Sequence, residues 1–306
     1  MNEISQLKKV LEKGEFGVTA ECGPPKGADP EAVTRKAELL KGKVDAVNVT
    51  DNQTAIVRMS SLAACALLKG CGLDPVLQMV VRDRNRIALQ SDILGASALG
   101  IKNLLCLSGD HQSFGNQSQA VGVFDLDSIQ FVQVVKTMRD EGTIIGGEPL
   151  TRNPDVFIGA AANPFADPLS FRVVRLAKKI KAGVNFIQTQ CVYNLKRFEE
   201  WVDMARDKGL TDKAYILAGV TPLKSAGMAK YMKNRVAGMD VPDHVIKRME
   251  GVQKDKQRQE GIRICVETIE RLKEISGISG IHIMAIEWEM VVGEIVERAG
   301  LLPRPA

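Results

Sequence analysis

A carboxylate at the end of a short apolar run is the first feature of this sequence that could do chemistry. The run from Phe16 to Ala20 predicts a buried strand, and Glu21 follows it directly, before a Pro-Pro turn. A carboxyl group in an apolar setting can hold a proton near neutral pH, as a general acid must. Alternatively, an acid at a strand end caps the next helix or pairs with a lysine.

Polar residues also lie in or just beyond the other apolar runs. They are Thr50, Asp51, Asn52, Gln78, Arg82, Asp83, Ser108, Asp110, Asn163, Gln188, Gln190, Thr221 and Glu287. Amides and carboxylates dominate this set. Such groups suit a heteroaromatic ligand whose edges alternate hydrogen-bond donors and acceptors, such as a flavin or a pterin.

Eight apolar runs predict the strands that position these residues. The runs cover residues 16–20, 46–50, 76–81, 101–107, 156–162, 186–191, 215–220 and 281–286, with helical patterns between most of them, including one at about 54–68. Strands that are apolar throughout are typical of a parallel sheet covered by helices. Eight repeats favour an α/β fold, a (β/α)8 TIM barrel, over an open doubly wound sheet.

We expect one domain over residues 1–306, with an N-terminal helix at 1–14 and the barrel at 15–306. In such a barrel the active site lies at the C-terminal ends of the strands, so the polar residues should meet at one mouth. His282 begins the last run, which places it at the opposite end. The three histidines form no H-x-H or H-E-x-x-H motif, so we expect no metal in this chain.

The composition is that of an ordinary globular protein, with 45% hydrophobic and 25% charged residues. A net charge of +4 spread along the chain gives no basic stripe for nucleic acid, and no apolar run is long enough to span a membrane. The charged N-terminus is unlike a signal peptide, so we expect a cytoplasmic protein. Six cysteines without a C-x-x-C pair encode no recognisable zinc or iron–sulfur site.

Five strings carry a resemblance to a known family. TAECGPPKG, AVNVTDNQ, MVVRDRNR, LCLSGD and GVNFIQTQCVYN resemble, in order and spacing, segments of the methylenetetrahydrofolate reductase family. The resemblance implies a flavin-dependent barrel, with FAD or FMN, that reduces 5,10-methylenetetrahydrofolate to 5-methyltetrahydrofolate. Glu21 matches the family's general acid, Asp110 the acidic residue near flavin and folate, and Gln190 the amide that binds the pterin edge.

The resemblance also implies which residues hold the two ligands. The flavin contacts would come from Thr50, Gln78, Arg82, Asp83, Ser108, Gly109, Asp110, Phe124, Ala160 and Ala162, and from the cationic residues Arg172, Arg175, Lys178 and Lys179. The folate contacts would come from Glu21, Asp110, Gln190, Met228, Met232 and Glu287.

The sequence departs from the family pattern at three of these predicted contact residues and at one residue next to a fourth. Gln78 stands where many members have His, Ser108 where they have Arg, Met232 where a stacking Phe is common, and Trp288 where an Arg is common. Members of this sort are known from the folate branch of anaerobic one-carbon metabolism, the Wood–Ljungdahl pathway. They work with an iron–sulfur and zinc subunit, so we predict such a partner in a homo- or hetero-oligomer.

Several alternatives stay open at this point. Gln188 and Gln190 could be satisfied amides of the barrel interior, the basic helix at 172–179 a surface face, and Cys22 an inert core thiol. The chain could also be a pterin-binding barrel that transfers a methyl group to a corrinoid, or a non-catalytic scaffold for an electron-transfer partner.

Overall fold

Eight parallel strands close into a barrel in the order of the chain, so that β8 pairs with β1. This is seen in a computed structural model that describes residues 4–305. The strands are β1 Gly17–Cys22, β2 Ala46–Val49, β3 Pro75–Val80, β4 Asn103–Leu107, β5 Phe157–Ala162, β6 Phe186–Cys191, β7 Tyr215–Val220 and β8 Gly280–Ile283. The predicted (β/α)8 TIM barrel is confirmed.

Eleven α-helices of the described residues surround the barrel or close its ends. They are α1 Gln6–Glu12, α2 Pro30–Leu40, α3 Ser61–Gly70, α4 Arg86–Ala98, α5 Ser128–Asp140, α6 Leu169–Ala182, α7 Leu195–Arg206, α8 Ala226–Arg235, α9 Asp243–Glu250, α10 Gln257–Glu274 and α11 Val292–Arg298. No helix within residues 4–305 is both long enough and apolar enough to cross a membrane.

Two predicted helices differ from the observed ones. The helix expected at 54–68 begins only at α3, because Thr54 and Ala55 have left-handed backbones (φ 56° and 54°) and Ser60 caps the later start. The N-terminal helix expected at 1–14 is limited to α1. Its start is fixed by the side chain of Ser5, which accepts a hydrogen bond from the Lys8 amide; residues 1–3 lie outside the described residues.

The N-terminal half of the barrel interior is filled with apolar side chains. Alternate residues of each strand point inward, and those nearest the N-terminal end form one buried cluster. Within it, the rings of Phe157 and Phe186 stack at a centroid distance of 5.2 Å. Leu7 and Leu11 of α1 join the same cluster, so this helix closes the N-terminal end of the barrel.

The outward-facing strand residues pack against the surrounding helices. This larger core contains Trp201, Phe131 and Phe198, each fully buried. Apolar packing covers the outside of the barrel, and α1 covers its N-terminal end. The C-terminal mouth is therefore the end at which polar side chains can meet a ligand. The assignment of the whole chain to a single domain stays a prediction.

Candidate active site

Glu21 lies inside β1 rather than beyond its end, and its side chain points into the C-terminal half of the barrel. The residue is 9% exposed. Burial raises the pKa of its carboxyl group from 4.5 to about 7, and the negative charge of Glu289 adds to the rise. A hydrogen bond from Gln53 and the charge of Lys36 oppose it. Glu21 can therefore hold or release a proton near neutral pH.

A layer of buried polar side chains crosses the barrel beneath Glu21. The amides of Asn48 and Gln188 bond to each other twice, at 2.6 and 3.0 Å. Gln188 also donates to the hydroxyl of Thr19 at 3.2 Å, and that hydroxyl lies 2.9 Å from Nδ1 of His282. These bonds satisfy groups that would be costly to bury alone, and they fix the floor under Glu21.

His282 is a member of this layer, which corrects the prediction that it lies at the opposite end of the barrel. Its Nε2 is 4.0 Å from Oε2 of Glu21. Burial lowers the pKa of the imidazole to about 3, so the ring is neutral at physiological pH. The prediction failed because β8 is only four residues long and starts at Gly280, so its third residue is already at mid-barrel height.

Above the polar layer a cavity of about 400 Å³ opens at the C-terminal mouth. One part of its wall carries carboxyl, amide, hydroxyl and imidazole groups, and another carries cations. The polar side chains along it are Glu21, Gln78, Ser108, Ser128, Asn163, Arg172, Arg175, Lys179, Gln188, Thr189, Gln190 and His282. The cavity therefore suits a ligand with a polar heterocycle at one end and an anionic group at the other.

The cations come from α6, whose face toward the cavity carries Arg172, Arg175 and Lys179. Nζ of Lys179 donates to the backbone oxygen of Ala161. Burial and the charge of Arg175 lower the pKa of Lys179 to about 8. Nε of Arg172 is buried without a hydrogen-bond partner. An anionic group in the cavity would compensate these charges and meet that donor.

The sequence profile described as methylenetetrahydrofolate reductase matches residues 6–300. The chain belongs to the methylenetetrahydrofolate reductase family. A Caenorhabditis elegans protein named "Probable methylenetetrahydrofolate reductase (NADPH)" is 23% identical over 97% of this chain and 44% of its own length. "Methylenetetrahydrofolate reductase 1" of Schizosaccharomyces pombe is 25% identical over 75% of this chain and 36% of its own length. The chain thus spans less than half the length of these relatives.

Solved structures share the barrel. A Clostridium thermocellum protein described as binding two copies of 5-methyl-5,6,7,8-tetrahydrofolic acid superposes with a TM-score of 0.65 at 17% identity, covering 96% of this chain and 99% of that one. A 2,3-dimethylmalate lyase gives a TM-score of 0.52 at 11% identity, covering 98% of this chain and 87% of that one. At these identities the similarity concerns the fold alone.

Eight of the residues that the family resemblance points to line the cavity together. They are Glu21, Gln78, Ser108, Ala162, Arg172, Arg175, Lys179 and Gln190. They come from five strands or strand ends and from α6, so only the closed barrel brings them together. Gln188 lines the cavity as well, although its amide is already bonded within the polar layer.

Arg82, Asp83 and Asp110 form a separate network at the ends of β3 and β4. Arg82 is 3% exposed and makes two hydrogen bonds to the Asp83 carboxylate, at 2.7 and 2.6 Å. It also donates to the backbone oxygen of Asp110 at 2.9 Å. The Asp110 carboxylate is exposed and accepts a 2.9 Å hydrogen bond from the Thr54 amide. The structure thus ties the Asp110 side chain to the loop after β2.

The remaining predicted flavin contacts lie outside the cavity lining. Thr50 is buried with its hydroxyl unpartnered. Gly109 has a left-handed φ of 86°, and a Cβ added there would lie 3.0 Å from the Cβ of Val80. Ala160 is fully buried among the side chains between barrel and helices, because its neighbours in β5 are the ones that point inward. Phe124 and Lys178 are exposed.

Three predicted folate contacts lie elsewhere at the mouth. Met232 is buried in a small cluster on α8 and accepts a hydrogen bond from the Tyr193 hydroxyl at 3.3 Å. Met228 packs against the same cluster. Glu287 is exposed after β8 and lies 3.9 Å from Arg58.

Lys36 and Glu289 are polar residues near Glu21 that the strand-end pattern missed. Nζ of Lys36, on α2, is 2.5 Å from Oε1 of Glu289, and the Glu289 side chain is only 9% exposed. Glu289 lies two residues beyond Glu287, so a wider search after the last strand could have included it. Lys36 sits in a helix, where the sequence gives no sign that it faces the barrel mouth.

Cys22 follows Glu21 in β1 but points the other way, into the core between barrel and helices. Burial raises the pKa of its thiol to about 12. A thiol in this setting carries almost no thiolate at neutral pH, which favours the core role over that of a nucleophile.

Proposed function

We propose that this chain reduces 5,10-methylenetetrahydrofolate to 5-methyltetrahydrofolate, with Glu21 as the general acid and a flavin held in the cavity. The observation that carries the proposal is a buried carboxyl group, with its pKa raised to about 7, facing a polar cavity in a chain of this family. The C. thermocellum protein of the same fold is described as binding the product of this reaction.

Glu21 supplies the step that the substrate needs first. Protonation of the bridge nitrogen opens the five-membered ring of the folate and leaves an electrophilic iminium carbon. A carboxyl group that is still protonated near pH 7 can give up that proton, whereas one with an ordinary pKa of 4.5 would be almost fully ionised. His282, 4.0 Å away, is neutral and therefore adds no positive charge that would favour ionisation of Glu21.

The cavity residues fit a flavin. Amide and hydroxyl groups of Gln78 and Ser108 can meet the edge of an isoalloxazine ring. Arg172 and Arg175, with the unpartnered Nε of Arg172, can meet a phosphate. When bound and reduced, the flavin would supply the hydride. The other predicted roles, of Asp110 at the flavin and Gln190 at the pterin edge, belong to the same proposal.

The electron source proposed for this chain is an iron–sulfur and zinc partner subunit. The support is the sequence, in which six cysteines include no C-x-x-C pair and Met232 stands where the family often has a stacking Phe. A cytoplasmic location and a place in the folate branch of anaerobic one-carbon metabolism complete this proposal.

Replacement of Glu21 by Gln tests the proposal. The amide has nearly the same shape but holds no transferable proton. We expect turnover of 5,10-methylenetetrahydrofolate to fall by about 100-fold or more. Flavin reduction by an artificial electron donor should stay close to that of the unmodified protein, because that half-reaction needs no proton from Glu21.

Folate turnover and flavin content distinguish the reductase proposal from the scaffold and methyltransferase alternatives. A scaffold subunit would show unchanged folate turnover in its complex after the Glu21→Gln substitution. A methyl transfer to a corrinoid would need no flavin, so purified protein without flavin absorbance, but with methyl transfer, would reject the reductase proposal.

A further inference from the structure

A second and smaller cavity also borders Glu21. It has a volume of about 50 Å³, enough for at least one water molecule, and Glu21, Lys36 and Glu289 are among its lining residues. Lys36 and Glu289 also line an open groove at the barrel mouth. Glu21 therefore lines both the proposed ligand cavity and a small cavity that it shares with an ion pair near solvent.

The Lys36–Glu289 pair is held firmly in this place. Besides the 2.5 Å contact to Glu289, Nζ of Lys36 donates to the backbone oxygen of Gly23 at 3.1 Å. Gly23 is two residues beyond Glu21 in the chain. The lysine thus fastens α2 both to the segment after β8 and to the segment after β1, and it fixes the Glu289 carboxylate beside Glu21.

The charges in this arrangement act on Glu21 in opposite directions. A fixed negative charge at Glu289 disfavours ionisation of Glu21, and the positive charge of Lys36 favours it. The other titratable or charged groups near Glu21 are His282 and Glu287 from the β8 side and Arg58 from the loop after β2. The Glu21 charge also acts on two buried thiols, Cys22 of β1, which points away from Glu21, and Cys191 of β6.

We propose that Glu289, held by Lys36, is a positioning residue that keeps the proton on Glu21 until the substrate takes it. This inference rests on the proposed function, in which Glu21 is the general acid. Glu289 itself does not touch the ligand cavity. The proton moves from the Glu21 oxygen to the substrate nitrogen, and Glu21 then takes a proton back from water.

The test measures the protonation of Glu21 directly. Infrared difference spectra give the midpoint at which its carboxyl band titrates, and the band is assigned by its loss in the Glu21→Gln variant. We expect Glu289→Gln to lower this midpoint by about one pH unit, because a negative charge is removed and Lys36 loses its partner. Lys36→Met should raise the midpoint, and the double variant should fall between the two.

Turnover provides the second measurement. One pH unit above the original midpoint, Glu289→Gln should lower kcat about tenfold while the KM for the folate stays within about twofold. At low pH its kcat should match that of the unmodified protein. Glu250→Gln is the matched control, since Glu250 also pairs with a lysine at 2.5 Å but on α9, outside the cavity lining, and it should change neither quantity.

The opposite shifts of the two single variants are the decisive result. A purely structural ion pair would lower the stability of both variants and leave the Glu21 midpoint unchanged, and that outcome would overturn the inference. The infrared titration does not depend on the reaction. If Glu21→Gln keeps full folate turnover while Glu289→Gln still shifts the midpoint, the proposed function fails and the electrostatic coupling stands.

Discussion

At the scale of single residues, the proposed reaction depends on how one carboxyl group is surrounded. Glu21 is buried, lies 4.0 Å from a neutral imidazole, and shares a small cavity with Glu289. The Lys36 ammonium bonds to Glu289. Burial and a nearby negative charge act together, so the carboxyl group titrates near pH 7 and not near 4.5.

The raised pKa of Glu21 predicts how stability depends on pH. Between pH 4.5 and about 7 the folded protein binds more protons than the unfolded chain, so this contribution is complete below pH 4.5 and is lost as the pH rises to about 7. The Glu21→Gln variant has no titrating group at this position, so its stability does not fall over this pH range for this reason. We expect the variant to gain up to about 3 kcal/mol of unfolding free energy over the unmodified protein at pH 8, and little at pH 4.5.

Urea unfolding of both proteins at the two pH values measures this difference. The exposed Glu250→Gln substitution serves as the control and should show no comparable gain between the two pH values. An equal effect of Glu21→Gln at pH 4.5 and pH 8 would mean that the Glu21 pKa is not raised by folding.

At the scale of elements, β5 and α6 shape the ligand cavity. β5 carries Gly159 where a side chain would meet the ring of Phe186 on β6, so small residues let the aromatic layer close the barrel beneath the cavity. The next helix, α6, places the cationic side chains of Arg172, Arg175 and Lys179 along the cavity wall. The strand thus contributes to the packing beneath the cavity, and the helix supplies the positively charged wall.

Gly159→Ala tests the packing at β5. An added Cβ would lie 2.3 Å from the Phe186 ring, so the ring or the strand must move, and we expect a loss of about 1–3 kcal/mol in unfolding free energy. Gly95→Ala in α4 has no atom within 4 Å of its added Cβ. That control should gain about 0.5–1 kcal/mol in the same denaturation experiment. Equal effects at both glycines would contradict this account.

If the proposed flavin binds in the cavity, its affinity should depend on the positively charged wall. Arg175→Gln removes a cation from the cavity lining, and we expect the flavin Kd to rise about tenfold, with a weaker dependence on salt. Fluorescence titration of flavin-free protein measures both quantities. Lys181→Gln changes an exposed cation of the same helix and should leave the Kd unchanged. A similar loss in both variants would indicate a general effect of charge.

At the scale of the whole molecule, the two ends of the barrel differ: the N-terminal end is closed by packing and ion pairing, and the C-terminal end is open and polar. The N-terminal end is closed by α1 and by residues near the chain's end, where Arg304 bonds to the buried Asp45 at 2.6 and 3.0 Å. Asp45 also accepts a hydrogen bond from the Val18 amide of β1. The closed end therefore stabilises the barrel, while the opposite mouth holds the polar and strained segments.

Arg304→Met tests whether this ion pair stabilises the barrel. The substitution leaves Asp45, which is fully buried, without its counter-ion, and we expect a loss of about 3 kcal/mol or more in unfolding free energy. Arg298→Met removes one side of an exposed pair with Glu294 and should cost at most about 1 kcal/mol. A double substitution with Asp45→Asn should recover part of the loss. Thermal or urea unfolding measures all three.

The sequence by itself determined the barrel, the family and much of the cavity lining. Eight apolar runs indicated strands covered by helices, and the strand-end pattern selected Glu21 and Gln190, which line the cavity, because alternation along a strand is a local property. Only the tertiary structure decided the rest. His282 and the Lys36–Glu289 pair reach Glu21 through strand pairing and helix packing between residues far apart in the chain, and such contacts leave no local pattern.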